Sequence, residues 1–438
     1  MPPSRGLSKV EPSKLQNQME HWRHFKAGDF GQKWNSSKLI VKEGSDAIAP
    51  LLELLNDPTI DAETHWFTIR ALGNFPEPDV IAAIAAQIGD ESCHSHHTSE
   101  QAAELSAFAI ETLAAMGSSA IEVLSQLLHN PQRRLLATKA LNQVRSSGVI
   151  TAMISVANDE DAAVRYYAID ALGSFHNPAV TPILLAALDD PSAAVRKASV
   201  MALGRRSDLQ AQHQLSKKLE PLLWDIDLEV SCQTALALGR LGVQDTLKAL
   251  KQVLLSAHTP IALRIDTVRA LKWYCDRANT DSLDSKESSY QSTPDQTTIN
   301  AFTILTQALA EFGETLEANN HLQQVNSQDS SQAQVAIVRV LGDLRHNSMV
   351  PVATETLINQ LQNAPSVIVV QACVMALANL AHPHAFDALL PLLSHPADAV
   401  PIHTIAALKR LDPDHSLDRV TTYINQSPEP QADVLNLW

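Results

Sequence analysis

Glycine is scarce, 14 in 438 residues, and aromatic residues make up only 5% of the chain. Sandwiches and barrels draw on turn glycines and on aromatic or β-branched strands, so this mixture, rich in Ala, Leu, Val and Ile, favours stacked helices. The four cysteines, Cys93, Cys232, Cys275 and Cys373, lie 139, 43 and 98 residues apart. That spacing holds neither a CxxC pair nor a disulfide framework, and it predicts a reduced, cytoplasmic protein. Positive charge is also short: 33 Lys and Arg stand against 48 Asp and Glu, a net charge of -15. Broad binding to nucleic-acid backbones or to anionic membranes draws its affinity from basic residues and is therefore disfavoured. No apolar run reaches the roughly 18 residues of a membrane span. The opening MPPSRGLSKVEPSK has no apolar core of a signal peptide, so neither export nor a helical anchor is expected.

Sequence motifs of common chemistry are missing too. The chain has no GxxxxGK(S/T), GxGxxG, HExxH, GxSxG or DxDxDG. Nucleotide binding, zinc proteolysis, serine hydrolysis and EF-hand calcium binding thus lack their central parts. No catalytic residue is assigned, and no cofactor-binding residue is identified.

What the chain does have is an internal repeat. VRYYAIDALGSF (164–175), VRKASVMALGRR (195–206) and VSCQTALALGRL (230–241) align without gaps, and HWFTIRALGNF (65–75) is a fourth copy. With the leucine of "ALG" as anchor, the equivalent positions are Leu39, Leu72, Leu113, Leu141, Leu172, Leu203, Leu238, Leu271, Leu341, Leu377 and Leu408. The residue before the anchor is Ala in eight of these eleven copies. Four before it stands a small or β-branched residue in most, such as Thr68, Ala109, Ala168 or Thr234. Positions eight, four, one and zero before the anchor share one helical face. Between anchors lies a second amphipathic segment, as in 45–57, 180–190 and 385–395, often closed by Asp-Pro.

Each unit is therefore a pair of antiparallel helices. One such pair cannot bury its apolar face alone, so the repeats must stack. The predicted fold is all-α, an α-α superhelix of about eleven helical hairpins, capped by a helix over 15–25. The expected organisation is an N-terminal segment with this cap (1–29), a repeat array (30–275), an insertion-bearing repeat (276–333), further repeats (334–412) and a C-terminal segment (413–438).

The run from Asp190 to Gly204, D-P-x-x-x-V-R-x-x-A-x-x-A-L-G, resembles the short HEAT repeats of the phycobilisome-lyase type found in cyanobacterial proteins. This similarity covers roughly residues 30–412. Arg fills the "VR" slot in only four copies, Arg134, Arg165, Arg196 and Arg264, and Gly follows the anchor in only five. The resemblance implies a HEAT-repeat solenoid that holds another protein. In its narrower form it implies a scaffold or chaperone for a phycobiliprotein subunit, assisting bilin attachment or phycobilisome assembly and turnover. The alternative it implies is a bilin lyase or isomerase with its own tetrapyrrole groove, in which a bilin is the ligand. Deoxyhypusine hydroxylases, a HEAT-repeat diiron class, use His-Glu dipeptides, and none of the 17 histidines here precedes Glu.

The longer steps between anchors locate what is specific to this chain. The step from Leu271 to Leu341 contains two polar stretches, 276–298 and 314–333, read as surface loops around a helix over 299–312. A second long step holds Cys93, His94, His96 and His97 within five residues. Those side-chain types bind soft divalent metals, yet adjacent ligands do not converge on one tetrahedral ion without a sharp turn; a solvated loop is the preferred reading. Trp66-Phe67 and Tyr166-Tyr167 occupy the same two repeat positions, just after the Arg slot. They are the interaction candidates, as aromatics on an outward helix face, with packing against the next unit as the alternative. Arg165 and Arg196 are expected to pair with Asp159, Asp190 or nearby turns in an inter-repeat ladder.

Overall fold

The computed structural model describes residues 12–89, 98–277, 294–314, 324–363 and 366–426. It is all-α, with no strand among the described residues, and its helices form an α-α superhelix of helical hairpins. The helices that carry the anchors are Phe30–Val41, Ala62–Leu72, Ser99–Ala115, Pro131–Gln143, Ala162–Leu172, Ala193–Leu203, Leu228–Leu241, Ile261–Arg277, Gln324–Gly342, Val367–Leu380 and Ala399–Leu411. Other helices, most of them shorter, or 3₁₀ turns alternate with them and supply the second member of each hairpin. The chain forms two compact units, 1–199 and 200–438, with a boundary inside the array assigned to 30–275.

Ten of the eleven anchor leucines are fully buried. Leu39 is the exception, 36% exposed, and its neighbour Ile40 is fully buried in its place. The register of the first copy is thus corrected by one residue. Two adjacent apolar side chains satisfy the pattern equally well, and only packing separates them. The shift moves Lys33 into the Arg slot and Trp34 into the slot that holds Trp66 and Tyr166.

The residue four before the anchor is buried in helix after helix. Where it is threonine, its hydroxyl donates to the carbonyl one turn back: Thr68 to Thr64, Thr234 to Val230, Thr267 to Leu263 and Thr404 to Val400, at 2.7–2.9 Å. A buried hydroxyl satisfied inside its own helix costs little and stays small at the seam.

In unit 1, a cation at the Arg slot of one anchor helix reaches the turn before the next. Lys33 Nζ lies 3.1 Å from Asp61 and 2.9 Å from Glu63. Arg134 Nη1 donates to Asp159 at 2.8 Å. Arg165 grips Asp190 with two parallel bonds of 2.8 and 2.9 Å and also donates to the Asp159 carbonyl. Asp190 accepts from the Ser192 N–H as well, and Arg196 donates to the Asp190 carbonyl. The expected ladder is present, with Lys33 as an added rung.

In unit 2, backbone proximity does the same work. A Cβ placed on Gly204, Gly239 or Gly342 meets Ala237, Ala270 or Ala376 at 2.5–2.7 Å. Each of these glycines follows an anchor, and each alanine precedes the next one, so "A-L-G" marks the contact of one helix with its successor. The helix expected over 299–312 is present and longer, Gln296–Glu314, taking in the end of the stretch 276–298 expected as a loop. Residues 324–333, expected in a loop, instead open the helix Gln324–Gly342. Burial of Ser330, Ala333 and Gln334 explains this, since small and amide side chains give that turn an inner face that its polarity concealed.

Candidate functional site

The outward face of the anchor helices in unit 1 carries an aromatic and cationic array. Asp29 caps Phe30–Val41 through the Gln32 N–H in a reciprocal capping box, which fixes the start of that helix. Trp34 therefore stands one turn after Phe30 and one before Lys38. Asp61 caps Ala62–Leu72 through the Thr64 N–H, placing Trp66 and Arg70 one turn apart in the same way. Burial alone would raise the Asp61 pKa, but its bonds to Thr64 and Lys33 hold it below the ordinary carboxylate value.

Across these helices the Arg70 guanidinium carbon lies 3.8 Å from the Trp34 ring centroid and 5.8 Å from that of Trp66. Lys38 Nζ is 5.0 Å from the Trp34 centroid. Trp66 stacks on Phe108 of the following anchor helix, with centroids 4.6 Å apart and an interplanar angle of 27°. Beside this array runs a groove of about 540 Å³, lined by Lys38, Lys42, Arg70, Phe108 and Glu111 among others. Its volume falls within the roughly 300–1,000 Å³ of ordinary ligand pockets.

Of the four aromatic candidates, Trp66, Tyr166 and Tyr167 are half-buried and Phe67 is fully buried. Phe67 is thereby corrected from a surface to a core residue. Its position, five before the anchor, turns toward the preceding hairpin, where it meets Phe30 at 5.3 Å and Trp34 at 6.4 Å. Tyr166 and Tyr167 lie edge to face at 5.1 Å, and Lys139 sits 5.4 Å from the Tyr167 centroid. Sequence reasoning missed Trp34, Arg70 and Phe108. The signal for Trp34 was present, since it aligns with Trp66 once Ile40 is the anchor. Cys93, His94, His96 and His97 lie outside the described residues. Among those described, no group of three or more His, Cys, Asp or Glu is placed to hold a metal ion.

Unit 2 has a different surface. A groove of about 390 Å³ is lined by Arg339, Asp343, Ile368, Met375 and His403 among others. Ile368 is 64% exposed, and Ile402 and Met375 are exposed as well. The face is aliphatic where that of unit 1 is aromatic. Cys232, Cys275 and Cys373 are buried and free, and burial pushes each thiol up to about 12. Such thiols are poor nucleophiles at neutral pH. No described helix is long and apolar enough to cross a membrane.

Comparison with known proteins agrees with this architecture. The family model for HEAT repeats matches residues 150–230 and 354–434. Kap121p is similar over 94% of this chain and 47% of that one, at 13% identity and a TM-score of 0.54. Importin beta is similar over 94% of this chain and 68% of its own, at 14% identity and a TM-score of 0.52. The complex of CpcE and CpcF of phycocyanin lyase from Nostoc sp. PCC7120 matches over 66% of this chain and 92% of that one, at 20% identity and a TM-score of 0.28. No curated protein matches the sequence. Residues 150–230 and 354–434 are thus similar to HEAT repeats, and at these identities the likeness of the chain to Kap121p and importin beta is one of fold.

Proposed function

We propose that this protein is a protein-binding scaffold or chaperone that works through the outward faces of its repeat helices. The observation that carries this reading is the half-buried array of Trp34, Trp66, Phe108 and Arg70, a composition typical of binding hot spots. Helical repeats hold such side chains on a rigid frame, so little ordering entropy is lost on association. The narrower proposal, supported by the resemblance of residues 190–204 to phycobilisome-lyase repeats, is that the partner is a phycobiliprotein subunit and the task is chromophore attachment or phycobilisome assembly and turnover. The partner would then supply the thiol nucleophile. A cytoplasmic setting is part of the same proposal, and the free state of Cys232, Cys275 and Cys373 supports it.

The test is affinity capture from the native host with the intact protein and with Trp66→Ala, followed by identification of the bound proteins. The reading expects a defined partner that is depleted at least several-fold by the substitution. Equal recovery with both baits would remove the array from the proposal, and no enriched protein would remove the scaffold. A bilin lyase or isomerase is the second reading, favoured by a groove that sets the Phe108 ring beside Lys38, Lys42 and Arg70. It expects a shift in visible absorbance when free bilin is mixed with the protein, which the scaffold reading does not.

A further inference from the structure

The groove in unit 1 has a chemistry at odds with the chain around it. The whole protein carries a net charge of -15, yet Lys38, Lys42 and Arg70 line this groove against one carboxylate, Glu111. Among the described residues these three cations form no ion pair, while Lys33, Arg134 and Arg165, at the Arg slots of unit 1, are all paired. In a chain with 48 acidic residues, three unpaired cations in one groove mark a site whose counter-charge comes from outside.

The aromatic side chains give the site direction as well as sign. With its carbon 3.8 Å from the Trp34 centroid, the Arg70 guanidinium is held against an indole face. A stacked guanidinium keeps its N–H donors at its edge, in the fork that matches a carboxylate. Apolar surface lies alongside: Val41, Ala71 and Ala115 line the groove with the Phe108 ring. A ligand that satisfies all of this is an anion with an apolar body.

We propose that this groove captures an acidic, apolar-anchored segment of a partner protein. Carboxylates of the segment bind Arg70, Lys38 and Lys42, and an intervening aliphatic or aromatic side chain packs against Phe108 and the edge of Trp66. The proposal rests on the protein-binding reading above and names the class of partner. Its affinity has two separable parts: an ionic one that falls as salt shortens the screening length, and an apolar one that does not.

The experiment is fluorescence anisotropy of the full chain with fluorescein-labelled dodecapeptides. One alternates glutamate and leucine; three controls replace every glutamate by glutamine, every glutamate by lysine, or every leucine by glutamate. The first peptide is expected to bind at least tenfold more tightly than each control. Arg70→Glu and, separately, the exposed Lys38→Glu each lower that affinity at least fivefold, while Arg345→Glu in the other unit leaves it unchanged. Lys38→Glu keeps the test valid should Arg70→Glu disturb folding, which the melting curve reports. Equal binding of the lysine peptide, equal binding of the all-glutamate peptide, indifference to both groove substitutions, or no binding would each overturn the proposal. If the peptides fail while a defined partner is still captured from the host in a Trp66-dependent way, the acidic class is wrong and the scaffold stands. If that capture also fails, both fall.

Discussion

Unit 1 and unit 2 are built from one repeat and both use glycine seams, at Gly73 against Thr112 in unit 1 as well, yet among the described residues only unit 1 adds ion pairs at the Arg slot. In unit 1, buried or half-buried cations at the Arg slot reach carboxylates in the next turn: Lys33 to Asp61, Arg134 to Asp159 and Arg165 to Asp190. In unit 2 that slot holds Ser231, Arg264, Gln334, Val370 and Pro401. Of these, Arg264 donates to the Ser256 carbonyl. Close backbone approach at Gly204, Gly239 and Gly342 takes over there. Ion pairs fix a register by direction and distance. Glycine seams fix it by excluded volume. The surfaces diverge in parallel, with aromatic rings and unpaired cations in unit 1 and exposed Ile368, Met375 and Ile402 in unit 2.

Asp190→Ala is the largest expected blow to this contrast. Removing one partner of a largely buried, doubly bonded pair leaves the Arg165 guanidinium uncompensated, at a cost of about 2–4 kcal/mol. Hydrogen exchange resolved along the chain should show the loss in 1–199 and leave 228–411 protected; equal loosening of both units would break the comparison. The same pair sets an acid dependence. Burial would raise the Asp190 pKa, but the Arg165 and Ser192 bonds outweigh it and hold the group below the ordinary carboxylate value. Its stabilisation is therefore present above the unfolded carboxylate pKa of about 4 and fades as pH falls through the folded value. Asp190→Ala should flatten that part of the stability curve.

Gly239→Ala tests the other mechanism. The added Cβ would stand 2.7 Å from Ala270 Cα and 2.9 Å from Trp273. Overpacking of this kind costs about 1–3 kcal/mol, against about 1 kcal/mol gained in helix propensity. Thermal melting is expected to show a net loss of about 1 kcal/mol, whereas a rise in Tm would mean that the seam is slack.

The smallest effect sharpens the picture within unit 2. Leu228–Leu241 ends on Gly242 at φ 62°, and Val367–Leu380 ends on Ala381 at φ 53°, each four residues past its anchor. Ala381→Gly relieves a left-handed alanine and is expected to stabilise by about 0.5–1 kcal/mol. Unchanged or lower stability in urea denaturation would argue against strain at that cap.

Much of this was legible in the chain. Ten anchors from Leu72 to Leu408 are buried where the period placed them, because a core shared by stacked helices demands the same apolar stripe in every copy. Legibility failed at the edges of the pattern. Leu39 and Ile40 compete for one slot without an adjoining Ala or Gly to decide. The polarity of 324–333 hid a helix whose inner face is Ser330 and Gln334 rather than leucine. Phe67 shares with Trp66 a position between the inward Thr64 and Thr68, and only packing separates its buried ring from the half-buried indole.

By itself, then, the order of residues determined a repeated helical hairpin, its approximate length, and which face of each helix is buried, since periodicity of apolar side chains is a local property. Only the tertiary structure decided that Trp34, Arg70 and Phe108, 36 and 38 positions apart, share one surface. It also decided which cations find a carboxylate and which do not. Such pairings depend on how one hairpin's face is offset against the next, and that offset is set by close packing between neighbouring helices, which no single helix encodes.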